Sequence, residues 1–246
     1  MLHNQQTITM IKQILKANKE KVAKMKLPIV LGIDSNNKPL IVDLAKVGNI
    51  LVGGATGQGK TNLLHAFAKS IYYAQPQVRD VCIVYYVDSK GVEKPSPYFD
   101  IHLNTIEDIK AHLDMLKEKI DKRETSKKMS RYPIAVLIDD FDHLVSTDMS
   151  ILDKVVYIAQ RGPRVGIFAV LTSAQGEYNI LPARLRIEMP TRVAFRVATV
   201  IESRGVIDSP EATFLTNKGE MLFSYNLKLT KLQTINVIDD NGDKKI

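Results

Sequence analysis

Cysteine is almost missing from this chain of 246 residues: Cys82 stands alone, inside the apolar run VCIVYYV. A lone thiol excludes an intramolecular disulfide and argues against a cysteine-based metal cluster, and its apolar neighbours predict that it is buried. No run of about 18 apolar residues occurs, so no membrane segment is expected. The first residues, MLHNQQTITMIKQ, lack the apolar core of a secretory signal, and the expectation is a soluble, cytoplasmic protein. Internal repeats, low-complexity tracts and a clear interdomain linker are also missing. What remains is ordinary globular composition, 45% hydrophobic and 25% charged, in a chain long enough to bury a sizeable core. The net charge of +7 and pI near 9.3 suit a polyanionic partner without specifying nucleic acid.

The most specific stretch is GATGQGKT, Gly54 to Thr61: two glycines with four residues between them, then Lys and Thr. Its surroundings have the required order. Asn49-Ile-Leu-Val52 is a short apolar strand candidate, and Leu63, Leu64, Phe67 and Ile71 recur at helical spacing after the loop. Strand, glycine loop and helix together predict a phosphate cradle formed by Gly54, Ala55, Thr56, Gly57, Gln58, Gly59, Lys60, Thr61 and Asn62. Gly57 and Gly59 let backbone N–H groups converge on phosphate oxygens, and the helix adds its positive N-terminal end. Lys60 is expected to reach the β and γ phosphates, and the Thr61 hydroxyl to ligate Mg²⁺; the expected ligands are therefore ATP and Mg²⁺.

Residues 5–26 place Ile11, Leu15, Val22 and Met25 on one stripe, with Lys12, Lys16, Lys19, Lys21, Lys24 and Lys26 mostly elsewhere, which predicts an amphipathic basic helix within an N-terminal segment 1–26. Two short strands around Ser35-Asn36-Asn37 predict a hairpin. Strand candidates follow at 81–87, 134–138, 166–172, 192–197, 219–224 and 232–238, with a long helix over about 106–124 capped by Thr105 and Asp108. The alternation predicts an α/β fold with a mostly parallel central sheet covered by helices on both faces. The main domain is expected over 27–238, and 239–246 as a polar tail.

The run YPIAVLID ends a strand candidate in two carboxylates, Asp139 and Asp140. Beside a phosphate loop this is the form of the second half of the site: Asp139, on a strand expected next to the loop strand, holds Mg²⁺ through water, and Asp140 orients or deprotonates the attacking water.

These segments together resemble the motor domain of the FtsK/SpoIIIE family of DNA translocases. LPIVLGIDSNNKPLIVDLAKVGNILVGGATGQGKTN is similar to the start of that motor. VDSKGVE, with Asp88, Lys90 and Glu93, resembles its Asp-Pro-Lys-x-x-Glu segment, and VLIDDFDHL, MPTRVAF, ESRGVID and NKGEMLF resemble later motifs in the family's order. The resemblance implies a RecA-like ATPase core and a homo-oligomer, usually a hexameric ring, around double-stranded DNA. It also implies an arginine donated by the neighbouring subunit to the transferring phosphate. Arg164 and Arg161, in AQRGPRVGIF, lie in the region of that residue, with Arg164 favoured; Arg192 and Arg204 fit motifs that sense nucleotide or brace the interface. The chain departs from the pattern at Asp140, where the family has Glu. It departs again at LTSAQGEYN, which leaves the γ-phosphate sensor open among Thr172, Ser173 and Gln175. Two basic loops are expected to face DNA phosphates, through Lys127, Lys128 and Arg131 in the first and Arg184 and Arg186 in the second. Two other functions stay open beside a duplex-DNA motor: an ATPase of conjugation or protein secretion, and a nucleotide-binding assembly module with weak hydrolysis.

Overall fold

The computed structural model describes residues 4–74, 82–126, 132–174 and 181–237. The amphipathic helix is two pieces, α1 (Asn4–Ala17) and the single turn α2 (Lys19–Val22). They part at Asn18, whose side-chain amide donates to the Ile14 carbonyl and competes with helix propagation. The expected stripe is nevertheless the buried one: Ile11, Leu15 and Val22 pack with Val30, Ala66 and Ile235, and Met25 lies against them. All six lysines are exposed.

The hairpin follows as β1 (Pro28–Ile33) and β2 (Pro39–Asp43), its turn fixed by the Asp34 carboxylate accepting the N–H groups of Asn36 and Lys38. Asp43 caps the short α3 (Leu44–Val47), and β3 (Ile50–Gly53) then runs into α4 (Lys60–Tyr73). Next come β4 (Ile83–Asp88), β5 (Ile101–Leu103) and the long α5 (Ile106–Thr125), with Thr105 accepting the Asp108 N–H as expected. Beyond it lie β6 (Ile134–Asp139), α6 (Phe141–Thr147), α7 (Ser150–Arg161) and β7 (Ile167–Ser173). The chain continues through α8 (Ala183–Ile187), β8 (Thr191–Phe195), α9 (Val200–Ile207), β9 (Glu220–Tyr225) and β10 (Lys228–Gln233).

All the strands form one sheet in the order β2-β1-β10-β9-β8-β3-β7-β6-β4-β5. The six from β8 to β5 are parallel and carry the nucleotide motifs; the other four extend the sheet antiparallel. Side chains alternate across it with period two. Ile50, Val52, Ala135, Leu137 and Val170 face α4, whereas Leu51, Ile134, Val136, Ile138 and Leu171 face α5, α6 and α7. Both faces are thus covered, which is why the central strands β3, β4, β6 and β7 read as near-continuous apolar runs up to their carboxyl ends. Among the described residues no helix is long and apolar enough to cross a membrane.

The expected hairpin β1–β2 is joined to the main sheet through β10. Two expectations need correction. The last strand is Lys228–Gln233, not 232–238, because Asn226 and Leu227 both take positive φ (49° and 61°) and close a two-residue turn between Tyr225 and Lys228. A leucine at the second turn position gives no sequence signal for it. Finally, β6 is not beside the loop strand: β7 lies between, paired with β3 on one side and β6 on the other.

Candidate nucleotide site

The carboxyl ends of β3, β7 and β6 meet at one edge of the sheet, the position at which open α/β sheets bind ligands. There the loop from Gly54 to Gly59 enters α4. Gly54, Gly57 and Gly59 have φ of +152°, +78° and +118°, and a side chain on Gly54 would strike Phe195 on β8. Glycine is required at Gly54 for both reasons. The Lys60 ammonium donates to the carbonyls of Gly54 (2.7 Å) and Ala55 (3.1 Å), and burial pulls its pKa below the ordinary lysine value. A buried cation at a helix N-terminus, beside backbone N–H groups, is a site for a polyanion.

Asp139 is the centre of the polar network. Its Oδ2 accepts from the Thr61 hydroxyl at 2.6 Å and from the Tyr86 hydroxyl at 3.3 Å; its Oδ1 accepts from the Thr172 hydroxyl at 2.5 Å. Burial raises the Asp139 pKa, and the hydrogen bonds from Thr172 and Thr61 oppose the rise. A hydroxyl and a carboxylate this close, next to the phosphate cradle, are the hard oxygen donors that Mg²⁺ takes, so the residues fit that ion. Thr61 and Asp139 meet although a whole strand separates β3 from β6, because α4 packs against both β7 and β6.

Asp140 also lines the cavity, which has a volume of about 460 Å³. It sits at φ +47°, ψ 54°, a left-handed conformation that costs an L-residue about 1–2 kcal/mol. Three contacts hold it there. The Thr172 hydroxyl accepts the Asp140 N–H (2.8 Å), the Ser89 hydroxyl donates to its carbonyl (3.1 Å), and the Lys90 ammonium lies 2.5 Å from its Oδ2. Of the three sensor candidates, Thr172 touches both acidic residues. Ser173 instead donates to the Asp142 carboxylate, and Gln175 lies outside the described residues.

Other candidates are placed differently. Asn62 lines the cavity, but its amide donates to the Ile235 carbonyl and its oxygen accepts the Val237 N–H, so its polar atoms fasten the segment after β10 to α4. Arg161 and Arg164 lie at the amino end of β7, away from their own chain's phosphate loop. Arg161 is paired with Glu124 and lies against the Tyr157 ring, whereas Arg164 is exposed and, among the described residues, has no partner. Arg204 is exposed on α9 and does not line the cavity. Arg186 and Arg192 converge on Asp208, at 3.0 and 2.6 Å, where they brace the end of α9. Arg184 is exposed and pairs with Asp153 at 2.6 Å; Lys127, Lys128 and Arg131 lie outside the described residues.

The far wall of the cavity was not foreseen. Lys218, Gly219, Gln233, Thr234 and Asn236 complete it, and the Gly219 N–H donates to the Gln58 carbonyl at 3.1 Å, tying the start of β9 to the glycine loop. Only Lys218 and Gly219 carried a signal, as part of NKGEMLF; the others become site residues through the β9–β10 turn.

A glycine loop at the carboxyl edge of a helix-covered parallel sheet, with a threonine and an aspartate poised for a metal, defines a P-loop nucleotide-binding protein with a RecA-like core. The sequence matches the FtsK/SpoIIIE family over residues 10–213, and the chain belongs to that family. It is 28% identical to the DNA translocase FtsK of Haemophilus influenzae, covering 97% of this chain and 55% of that one. With the DNA translocase SftA of Bacillus subtilis it shares 27% identity, over 88% of this chain and 25% of the relative. The chain thus spans about half or less of the length of these relatives. Among solved structures, the pCW3 conjugation coupling protein TcpA, in its monomer form with ATPγS, superposes with a TM-score of 0.77 at 19% identity, over 90% of this chain and 69% of that one. The cytoplasmic domain of the Type VII secretion ATPase EccC of Thermomonospora curvata gives 0.73 at 20%, over 90% and 29%. At these identities the likeness is one of fold.

Proposed function

We propose that this chain is the motor of an ATP-driven duplex-DNA translocase, working as a ring in which neighbouring subunits complete each other's sites. The observation that carries the reading is the convergence of Lys60, Thr61 and Asp140 on one cavity, with Asp139 behind them accepting the Thr61 hydroxyl, in a member of this family. Lys60 leaves the loop carbonyls to bind the β and γ phosphates, and Thr61 and Asp139 are the residues that would hold Mg²⁺. Bound Mg²⁺ supplies neutralisation of charge on the phosphate oxygens. Asp140 orients the attacking water and accepts its proton, and Thr172 links the Asp140 backbone N–H to the Asp139 carboxylate. The neighbour's Arg164, which has no partner among the described residues, is offered to the transferring phosphate. Arg184 is the described basic-loop residue best placed to meet DNA, since Arg186 is largely enclosed by its contact with Asp208.

The test is ATP turnover with and without duplex DNA, together with solution mass in the presence of ATP and duplex. Strong stimulation by duplex and a ring-sized particle are expected. Stimulation only by a partner protein would move the chain to the conjugation and secretion class that its structural neighbours represent. Nucleotide binding without turnover would make it an assembly module.

A further inference from the structure

The segment after β4 has a task that the phosphate chemistry does not explain. Asp88 pairs in register with Asp139, which brings the residues following Asp88 alongside Asp140. The buried Asp88 carboxylate accepts the N–H groups of Lys90 (3.2 Å), Gly91 (3.0 Å) and Glu93 (2.7 Å), folding 88–93 into a tight bracket. Gly91, at φ +64°, supplies the backbone the bend needs, and Glu93 lies 3.5 Å from His65 on α4. The bracket is therefore fixed on the sheet and lies against the helix that follows the phosphate loop. From it, Ser89 holds the Asp140 carbonyl and Lys90 holds Oδ2 of the Asp140 carboxylate. Among the described residues nothing donates to Oδ1 of Asp140. The same contact holds the Lys90 pKa above the ordinary value, with Asp139 and Asp142 adding to it.

We propose that Lys90 is a positioning residue for ATP hydrolysis: it occupies Oδ2 of Asp140 and fixes the carboxylate so that Oδ1 faces the attacking water. This rests on the ATPase reading above. In the step served, the water oxygen bonds to the γ phosphorus as the bond from that phosphorus to the β–γ bridging oxygen breaks. ADP leaves with the electron pair, and the water proton passes to Oδ1 of Asp140. Among the described residues Lys90 is the one donor to the Asp140 carboxylate, so the brace sets that side chain's orientation. Lys90 acts through Asp140 rather than on phosphate, because it does not line the cavity and its ammonium is already engaged.

The test uses the full chain with ATP and duplex DNA. Lys90→Met should lower kcat at least tenfold while KM and the affinity for a fluorescent ATP analogue stay within twofold, and Lys90→Arg should restore most of the turnover. In an Asp140→Asn background, Lys90→Met should cost nothing further. A similar loss in that background, a parallel loss of nucleotide affinity, or faster turnover would each overturn the proposal. Acylation of Lys90 by an amine-reactive ester, followed by mass spectrometry, reads the contact without turnover: Asp140→Asn should speed labelling several-fold. Equal labelling rates refute the contact. Absent turnover in the wild-type protein refutes the ATPase reading and this role with it, whereas wild-type kcat in Lys90→Met refutes only the role of Lys90.

Discussion

Lys60 combines two opposing demands in one side chain. Burial disfavours its charge, and the carbonyls of Gly54 and Ala55 provide the compensation that, in the proposed function, a phosphate takes over. Lys60→Ala should therefore weaken ATP binding by about 10- to 100-fold, the value of charged hydrogen bonds at about 1.5–3 kcal/mol, as measured by titration with a fluorescent nucleotide. Unchanged affinity would remove Lys60 from the phosphates. Asp140→Asn should leave that affinity intact and lower kcat by about 100-fold or more, the usual contribution of a positioned base, in a steady-state ATPase assay. Cys82 behaves oppositely to an active thiol. Burial pushes its pKa up to about 12, so its thiolate is scarce at pH 8. Alkylation by iodoacetamide at pH 8 should be negligible in the native protein and fast in denaturant; ready labelling of the folded chain would contradict its burial.

At the scale of elements, the site depends on how closely β3 and α9 approach. Gly53 is the last residue of β3, and a Cβ there would collide with the Val206 side chain on α9. Gly53→Ala should destabilise the protein by about 1–3 kcal/mol, seen as a fall of several degrees in Tm, and Val206→Ala should recover part of it. A neutral Gly53→Ala would show that α9 is free to move. The loop, helix and second acidic strand were legible because each has a local signature: glycines at fixed spacing, a helical apolar stripe, an apolar run ending in aspartates. Asn49 had none. Its amide spans the carbonyls of Ala159 and Glu188 and accepts the Ala169 N–H, joining the entrance of β3 to β7 and the chain around α7 and α8. Partners more than a hundred residues away leave no mark on the neighbouring sequence.

For the whole molecule, a shared site predicts complementation. Arg164→Ala should leave nucleotide binding unchanged and reduce turnover of the assembly, and Lys60→Ala should be inactive on its own. Mixing the two variants should restore activity at interfaces that join an intact phosphate loop to an intact arginine. Additive inactivity across all mixing ratios would place the full site within one chain. Arg161→Ala should act instead on stability, since its guanidinium is engaged with Glu124 and Tyr157.

The alternating architecture, the family, and the glycine loop and acidic strand end proposed for the site were legible in the sequence, since they rest on spacing and on apolar runs that short-range physics requires. Only the tertiary structure decided that β7 separates the two halves of the site and that Thr172 joins Asp139 to Asp140. The same holds for Asn62 fastening the chain after β10, and for Lys90 reaching across from β4 to brace Asp140. Strand order and side-chain pairing across a parallel sheet are settled by packing between distant segments, where no local pattern records which strand lies beside which.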